Sequence, residues 1–171
     1  MQYKQQSNQG CLIISLLYLF SIEPTRELER SILGDGLFKL RQNYTLGCLL
    51  SFLDRYADKS VTVYVDNKYY LGVMQMWVRH PRIQMEHSSI NLGLLESLTP
   101  PFIVYVDNHI TDGWTHLPHY MMIVSASSKF YDVLDPWTGK TSKLSKQKVL
   151  LGVDLLRSHI KVCPFVITCR Q

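Results

Sequence analysis

The chain has 171 residues, 46% of them apolar, 19% charged and 11% aromatic, with a net charge of +4. That balance excludes a disordered chain and suffices for one compact domain with a real core, expected to span residues 1–171. The charge is too mild to imply a nucleic-acid partner. Its densest source, KTSKLSKQK at 140–148, has no interleaved aromatic residue and reads as a solvated face.

In chain order, the first signal is SNQGCLIISLLYLF at 7–20, where a polar segment gives way to an apolar run at Cys11. The run is hydrophobic almost all round, as in a buried helix beginning near Cys11. With Lys4 before it, the run resembles an export signal, but SIEPTRELER follows without a small-x-small cleavage site. It is also too short to span a bilayer, so no membrane span and a cytoplasmic location are expected. Pro24 suits a first helical turn, and PTRELERSIL reads as a helix capped at Gly34. The GDG at 34–36 lacks GxGxxG spacing and reads as a turn. Residues 45–58, TLGCLLSFLDRYAD, have helical periodicity and put Cys48 in the core.

The period then changes. VTVYVDN (61–67) and FIVYVDN (102–108) read as strands ending in Asp-Asn turns, with helices between them over 69–79 and in SSINLGLLESL. HYMMIVSASSKFYDVLD (119–135) reads as two strands, followed by a short helix after Ser145 and a closing strand in CPFVITC. Helices first and strands later predict an α+β fold, with N-terminal helices packed on a mainly antiparallel sheet. The four cysteines form no CxxC pair and match no zinc spacing. Cys163 and Cys169 share parity with Phe165 and Ile167, as inert thiols on a strand's buried face would. Nothing resembles a disulfide framework, which favours a reducing compartment. No HExxH or similar spacing occurs, and no metal or cofactor is expected.

Folding 119–135 about Ala126-Ser127-Ser128 sets His119 opposite Asp135, or within a residue of it. Opposed residues of an antiparallel pair have Cβ atoms roughly 4.5–5.5 Å apart. Alone, such a pair reads as a structural His–Asp contact at a strand end. Cys11 changes the reading, because a helix N-terminus stabilises a thiolate. Six residues earlier stands Gln5, whose amide can donate to an oxyanion beside the Cys11 backbone N–H. Nucleophile, base, orienting carboxylate and oxyanion donor then follow the chain order Gln, Cys, His, Asp of papain-type enzymes.

NQGCLIISLLYLF resembles the active-site helix of peptidase C39-like domains. HYMMIV and FYDVLDPWTGK resemble that family's histidine strand and Asp-Pro-Trp-x-Gly stretch, and KLSKQKV its following segment. The likeness is good at both ends of the chain and poor over residues 24–95. It implies a papain-like cysteine peptidase with Cys11 as nucleophile, His119 as general base and later acid, Asp135 orienting His119, and Gln5 in the oxyanion hole. Many members place Gly after the cysteine; here it is Leu12, which bears on the shape of the cleft. The implied partner is a peptide or protein substrate.

Several alternatives stay open on the residues. Counting six from Gln9 lands on Ser15 instead of a thiol. The same chemistry serves a glutamine deamidase or an acyltransferase, and a peptide-binding module of the same fold needs no turnover. His109 and His116 flank the DGW of a loop leading into the His119 strand, as residues of a cleft rim or of a plain loop. His80 looks like a helix end, and His87 and His159 have no evident partners. Trp114 and Trp137 read as partly buried rim aromatics. Oligomeric state is left open.

Overall fold

The computed structural model describes residues 3–169. Three helices come first, α1 (Cys11–Leu19), α2 (Arg26–Lys39) and α3 (Tyr44–Arg55), followed by β1 (Val61–Val65), α4 (Lys68–Trp77), β2 (Ile83–His87) and α5 (Leu92–Ser97). Strand β3 (Phe102–Asp107) and the single turn α6 (His109–Asp112) lead into β4 (Pro118–Ala126), β5 (Phe130–Asp135) and β6 (Lys140–Ser145). Helix α7 (Lys146–Leu155), a π-helical turn (Leu156–Ile160) and β7 (Phe165–Cys169) complete the order. The fold is α+β.

Most of the helices begin where a short polar side chain can satisfy a first-turn N–H. Thr25 accepts from Leu28, Asn43 from Leu46, Asn67 from Tyr70, Asn91 from Leu94 and Ser145 from Lys148. Helix α1 differs. Its N-cap is Gly10, which provides no side-chain cap.

The seven strands lie in the order β2-β1-β7-β3-β4-β5-β6. β1 and β2 run parallel, joined through α4, and the other neighbours run antiparallel. Strand parity sorts the core into two layers. On β3, Ile103 and Tyr105 join the cluster under α1 and α3, with Leu12, Leu16, Leu49 and Phe52. Phe102, Val104 and Val106 join the opposite cluster with Ile110, Val149 and Val153 of α6 and α7. Helices thus cover both faces, which is why every residue of FIVYVD is buried. Among the described residues no helix is long and apolar enough to cross a membrane.

Three local expectations are corrected. Helix α2 does not stop at Gly34 but runs through GDG to Lys39; Gly34 meets nothing within 4 Å, and Gly36 serves packing and not a turn. A Cβ on Gly36 would lie 2.6 Å from the backbone nitrogen of Cys48, and one on Gly47 would overlap the carbonyl oxygen of Gly36. The glycine pair lets α2 and α3 touch backbone to backbone. Gly36→Ala should therefore lower the melting temperature by roughly 2–12 °C, the range for 1–3 kcal/mol of overpacking in a chain of this size. A thermal melt within a degree of wild type would show that the helices separate freely.

The other two corrections are strands. β2 and β6 occupy the two ends of the sheet order, and neither alternates cleanly between buried and exposed positions. The lysine run that reads as a solvated face is largely β6, four of whose six residues are exposed.

Candidate active site

His119 lies at the start of β4 and Asp135 at the end of β5, and both are buried. The simple hairpin count needs correction. Met122 pairs with Leu134 and Ile123 with Val133, but the register then shifts so that Ser125 pairs with Asp132. Val124 is the extra residue of this bulge. Ala126 pairs with Tyr131, so the chain turns later than a fold about 126–128 requires, and an unbroken ladder would set Asp135 opposite Met122. The bulge draws it back to Met121, two residues beyond His119. The histidine and the carboxylate are diagonal neighbours on one parity, within reach of long side chains. His119 Nε2 stands 2.7 Å from Asp135 Oδ1. An ionised carboxylate only accepts, so Nε2 keeps its proton, and Nδ1 is the nitrogen that gains or loses one.

The Asp135 carboxylate is held by further donors. The Trp137 N–H donates to Oδ1 at 2.9 Å and the Thr138 hydroxyl to Oδ2 at 3.0 Å. Burial works to raise its pKa, but His119 and these donors outweigh burial and keep it below the ordinary carboxylate value. The Trp137 ring lies edge-on to the imidazole, centroids 5.9 Å apart.

Cys11 completes the contact from the helical layer. It is the first residue of α1, a helix that packs on β3 and β4. Burial opposes charge on His119, yet its hydrogen bonds with Asp135 and with Cys11, and the charge of both, raise its pKa to about 9. With Nε2 engaged by Asp135, Nδ1 is the ring nitrogen left for Cys11. Tyr44 at the first turn of α3 faces the same thiol: burial and then the charge of Cys11 raise its pKa. Because Gly10 leaves α1 uncapped, the first-turn N–H groups at Cys11 keep no side-chain acceptor.

Gln5 is buried beside this helix start, its backbone N–H donating to the carbonyl of Pro136 at 2.9 Å. Its side-chain Nε2 donates to the Ser7 carbonyl at 2.8 Å, while Oε1 finds no partner among the described residues. One amide proton is thus committed to shaping the 5–10 loop. Lys4, Gln5, Gln6, Ser7, Asn8 and Trp137 line a cavity of about 330 Å³. A second cavity of about 360 Å³ is bounded by Leu117, Thr115, Asp112, Asp135 and Thr138 among others. Trp137 lines both.

Residues outside this constellation also find places. Ser15 is wholly buried in α1 and its hydroxyl has no partner among the described residues, so it presents no nucleophile to either cavity. His116 Nδ1 lies 2.7 Å from Oδ2 of the buried Asp107, and its ring stacks on His109 and lies tilted against His159, centroids 4.0 Å apart. His159, without an apparent partner in the sequence, thereby gains one. His80 contacts Asp54 at 3.0 Å. Trp114 is almost fully exposed and Trp137, at 37%, is exposed as well, so the expectation of partial burial fails outright at Trp114 and narrowly at Trp137. Cys48 is buried, and burial followed by the charge of Cys11 pushes its thiol up to about 12. Cys163 and Cys169 are half-buried rather than core, with burial raising both thiols. Among the described residues no group of three His, Cys, Asp or Glu could hold a metal ion.

Glu29 was invisible in the sequence. It lies in the first turn of α2, where an acidic residue ordinarily faces solvent and complements the helix dipole. Here it is wholly buried, accepting from the Ser7 N–H at 2.7 Å, from the Gln6 N–H at 2.9 Å and from the Tyr3 hydroxyl at 2.9 Å. No local pattern separates such a glutamate from a surface one. Only the clash that a Gly10 side chain would make with it ties the two positions together. No protein-family model matches this chain, and no curated protein matches it in sequence.

Proposed function

We propose that the chain is a thiol hydrolase of papain-like fold, related to the peptidase C39-like domains, that cleaves a peptide or amide bond. The observation that carries this reading is the buried His119, bonded through Nε2 to Asp135 and raised in pKa by Asp135 and by Cys11, the first residue of an uncapped helix.

The chemistry follows from that arrangement. His119 Nδ1 takes the Cys11 proton and the thiolate attacks the carbonyl carbon, whose π electrons move to oxygen. The resulting oxyanion is met by the Cys11 backbone N–H and by the side-chain amide of Gln5. As the C–N bond breaks, the imidazolium returns the proton to the leaving amine, and a thioester remains on Cys11. Water, deprotonated by His119, then attacks the thioester. Collapse releases the carboxylic acid and restores the thiol. Asp135 keeps the proton on Nε2 throughout, so that Nδ1 faces the reaction.

Alkylation tests the nucleophile. Iodoacetamide near pH 6, with mass mapping of the products, should modify Cys11 first and Cys48, Cys163 and Cys169 slowly. This order runs against exposure, since Cys163 and Cys169 are half-buried while Cys11 is buried. Raised thiol pKa values keep those other three protonated. His119→Ala should erase most of the preference. Labelling that follows exposure, with Cys163 and Cys169 first, would end the thiolate reading.

A further inference from the structure

Resting on the hydrolase reading, we propose that Glu29 is the positioning residue of the oxyanion site. Its buried carboxylate fixes the 3–7 segment so that Gln5 and the Cys11 N–H meet the reacting oxygen.

The geometry leads there in steps. Residues 3–7 have no regular secondary structure, so their backbone donors need partners from elsewhere. One carboxylate from a different helix supplies them. Oε1 accepts from Ser7 N and Gln6 N, and Oε2 from Gln6 N and the Tyr3 hydroxyl. The segment is held on its other side by the Gln5 N–H bond to Pro136, directly after Asp135. Gln5 therefore sits between two anchors, one on the α2 side and one on the loop that carries the carboxylate of the triad. Ser7, fixed by Glu29, presents the carbonyl that takes one proton of the Gln5 amide. The same carboxylate fills the space where a Gly10 side chain would stand, and a residue there with its own polar side chain is what would cap α1. Glu29 touches neither the thiol nor the imidazole. It sets the site only through the loop.

A distinction between two reactions of Cys11 tests this. Alkylation by iodoacetamide displaces iodide at a saturated carbon and builds no oxyanion, whereas amide hydrolysis builds one in each half-reaction. Glu29→Ala should lower kcat for a peptide amide by about 10²-fold, as for a lost or misplaced oxyanion donor. KM and the Cys11 alkylation rate should stay within about threefold of wild type. Glu29→Gln should restore kcat to within about fivefold. Its Oε1 can still accept from Gln6 and Ser7 while its amide donates to a rotated Tyr3 hydroxyl. Hydrogen exchange supplies a readout that needs no substrate. In Glu29→Ala the Gln6 and Ser7 amides should exchange at least about tenfold faster, with those of Val104 and Ile123 unchanged.

Alkylation and turnover falling together would overturn the proposal in favour of a purely structural role, and so would unchanged exchange at Gln6 and Ser7. Should Glu29→Ala fail to fold, Gly10→Ala reaches the same contact from the other side. Its Cβ should displace the carboxylate and produce the same split between turnover and alkylation; wild-type values for both would overturn the clamp. Wild-type protein that alkylates selectively at Cys11 but hydrolyses no amide would sink the hydrolase reading instead, and the exchange rates would still decide the clamp.

Discussion

Replacing Cys11 with alanine should remove hydrolysis of any peptide or amide substrate, a loss on the order of 10⁶-fold in kcat. The size of the effect follows from the interdependence of the site. Without the sulfur there is no acyl-enzyme, and the Nδ1 lone pair of His119 has no thiol to deprotonate. The fold should survive, because exchanging a thiol for a methyl at one buried position costs about 1 kcal/mol, or roughly 2–4 °C of melting temperature in a chain of this size. Ser15→Ala is the matched control. Ser15 is wholly buried one turn further along α1, and its removal should leave kcat within about threefold. Steady-state rates on the two variants, with melts to show folding, separate the registers. Retained activity in Cys11→Ala, or equal losses in both variants, would overturn the assignment of the nucleophile.

The His119–Asp135 pair should give stability a defined pH window. His119 has a folded pKa of about 9 against an ordinary 6.5, so its charged form stabilises the fold fully below about 6.5. That stabilisation drains away as the pH rises toward 9. Asp135 runs the other way: held below its ordinary 3.8, it contributes above that value and loses its contribution as the pH falls through its folded pKa. Stability from the pair should therefore be greatest between about pH 4 and 6.5. The gap between 6.5 and about 9 corresponds to at most roughly 3 kcal/mol, or about 6–12 °C of melting temperature. Asp135→Asn keeps an acceptor for the Nε2 proton but removes the charge. It should flatten the decline on the alkaline side more than Cys11→Ala does, because the bond to Asp135 is the leading force raising the His119 pKa. Thermal melts from pH 4 to 9.5 would show this. A wild-type melting temperature that is flat between pH 6.5 and 9, or an equal slope in Asp135→Asn, would sink it.

How far the site could be read in advance depended on the distance over which each residue's neighbours are fixed. The polar-to-apolar switch at Cys11 is local, and α1 begins there. The hairpin is nearly local too, so His119 and Asp135 could be matched from the turn. The count turned the chain at 126–128, whereas it turns at 127–130, where the Ser127 N–H donates to the Phe130 carbonyl. A run of Ser, Ala, Ser and Ser offers the same turn chemistry at several steps, and the Val124 bulge that partly offsets the slip leaves no mark of its own. The α+β order was legible because the hydrophobic period changes at residue 61. The ends of the sheet were not, since edge strands such as β2 bury no clean alternating stripe. Glycine misled for a related reason. GDG has turn chemistry in isolation, and the reason for a glycine at 36, the backbone of Cys48, lies on another helix. Glu29 lies at the far end of this scale: its three partners are 22 to 26 residues away, and no motif joins them.

Strand β6 closes one end of the sheet order with its residues largely exposed, and it carries Lys140 and Lys143. In general an outer strand is where an extended chain, including a second copy of the same protein, can add to a sheet. Two ammonium groups along such a strand repel the same strand of a second molecule and must be desolvated before any strand can dock. The densest positive charge of the chain thus lies where it works against edge-to-edge growth of the sheet.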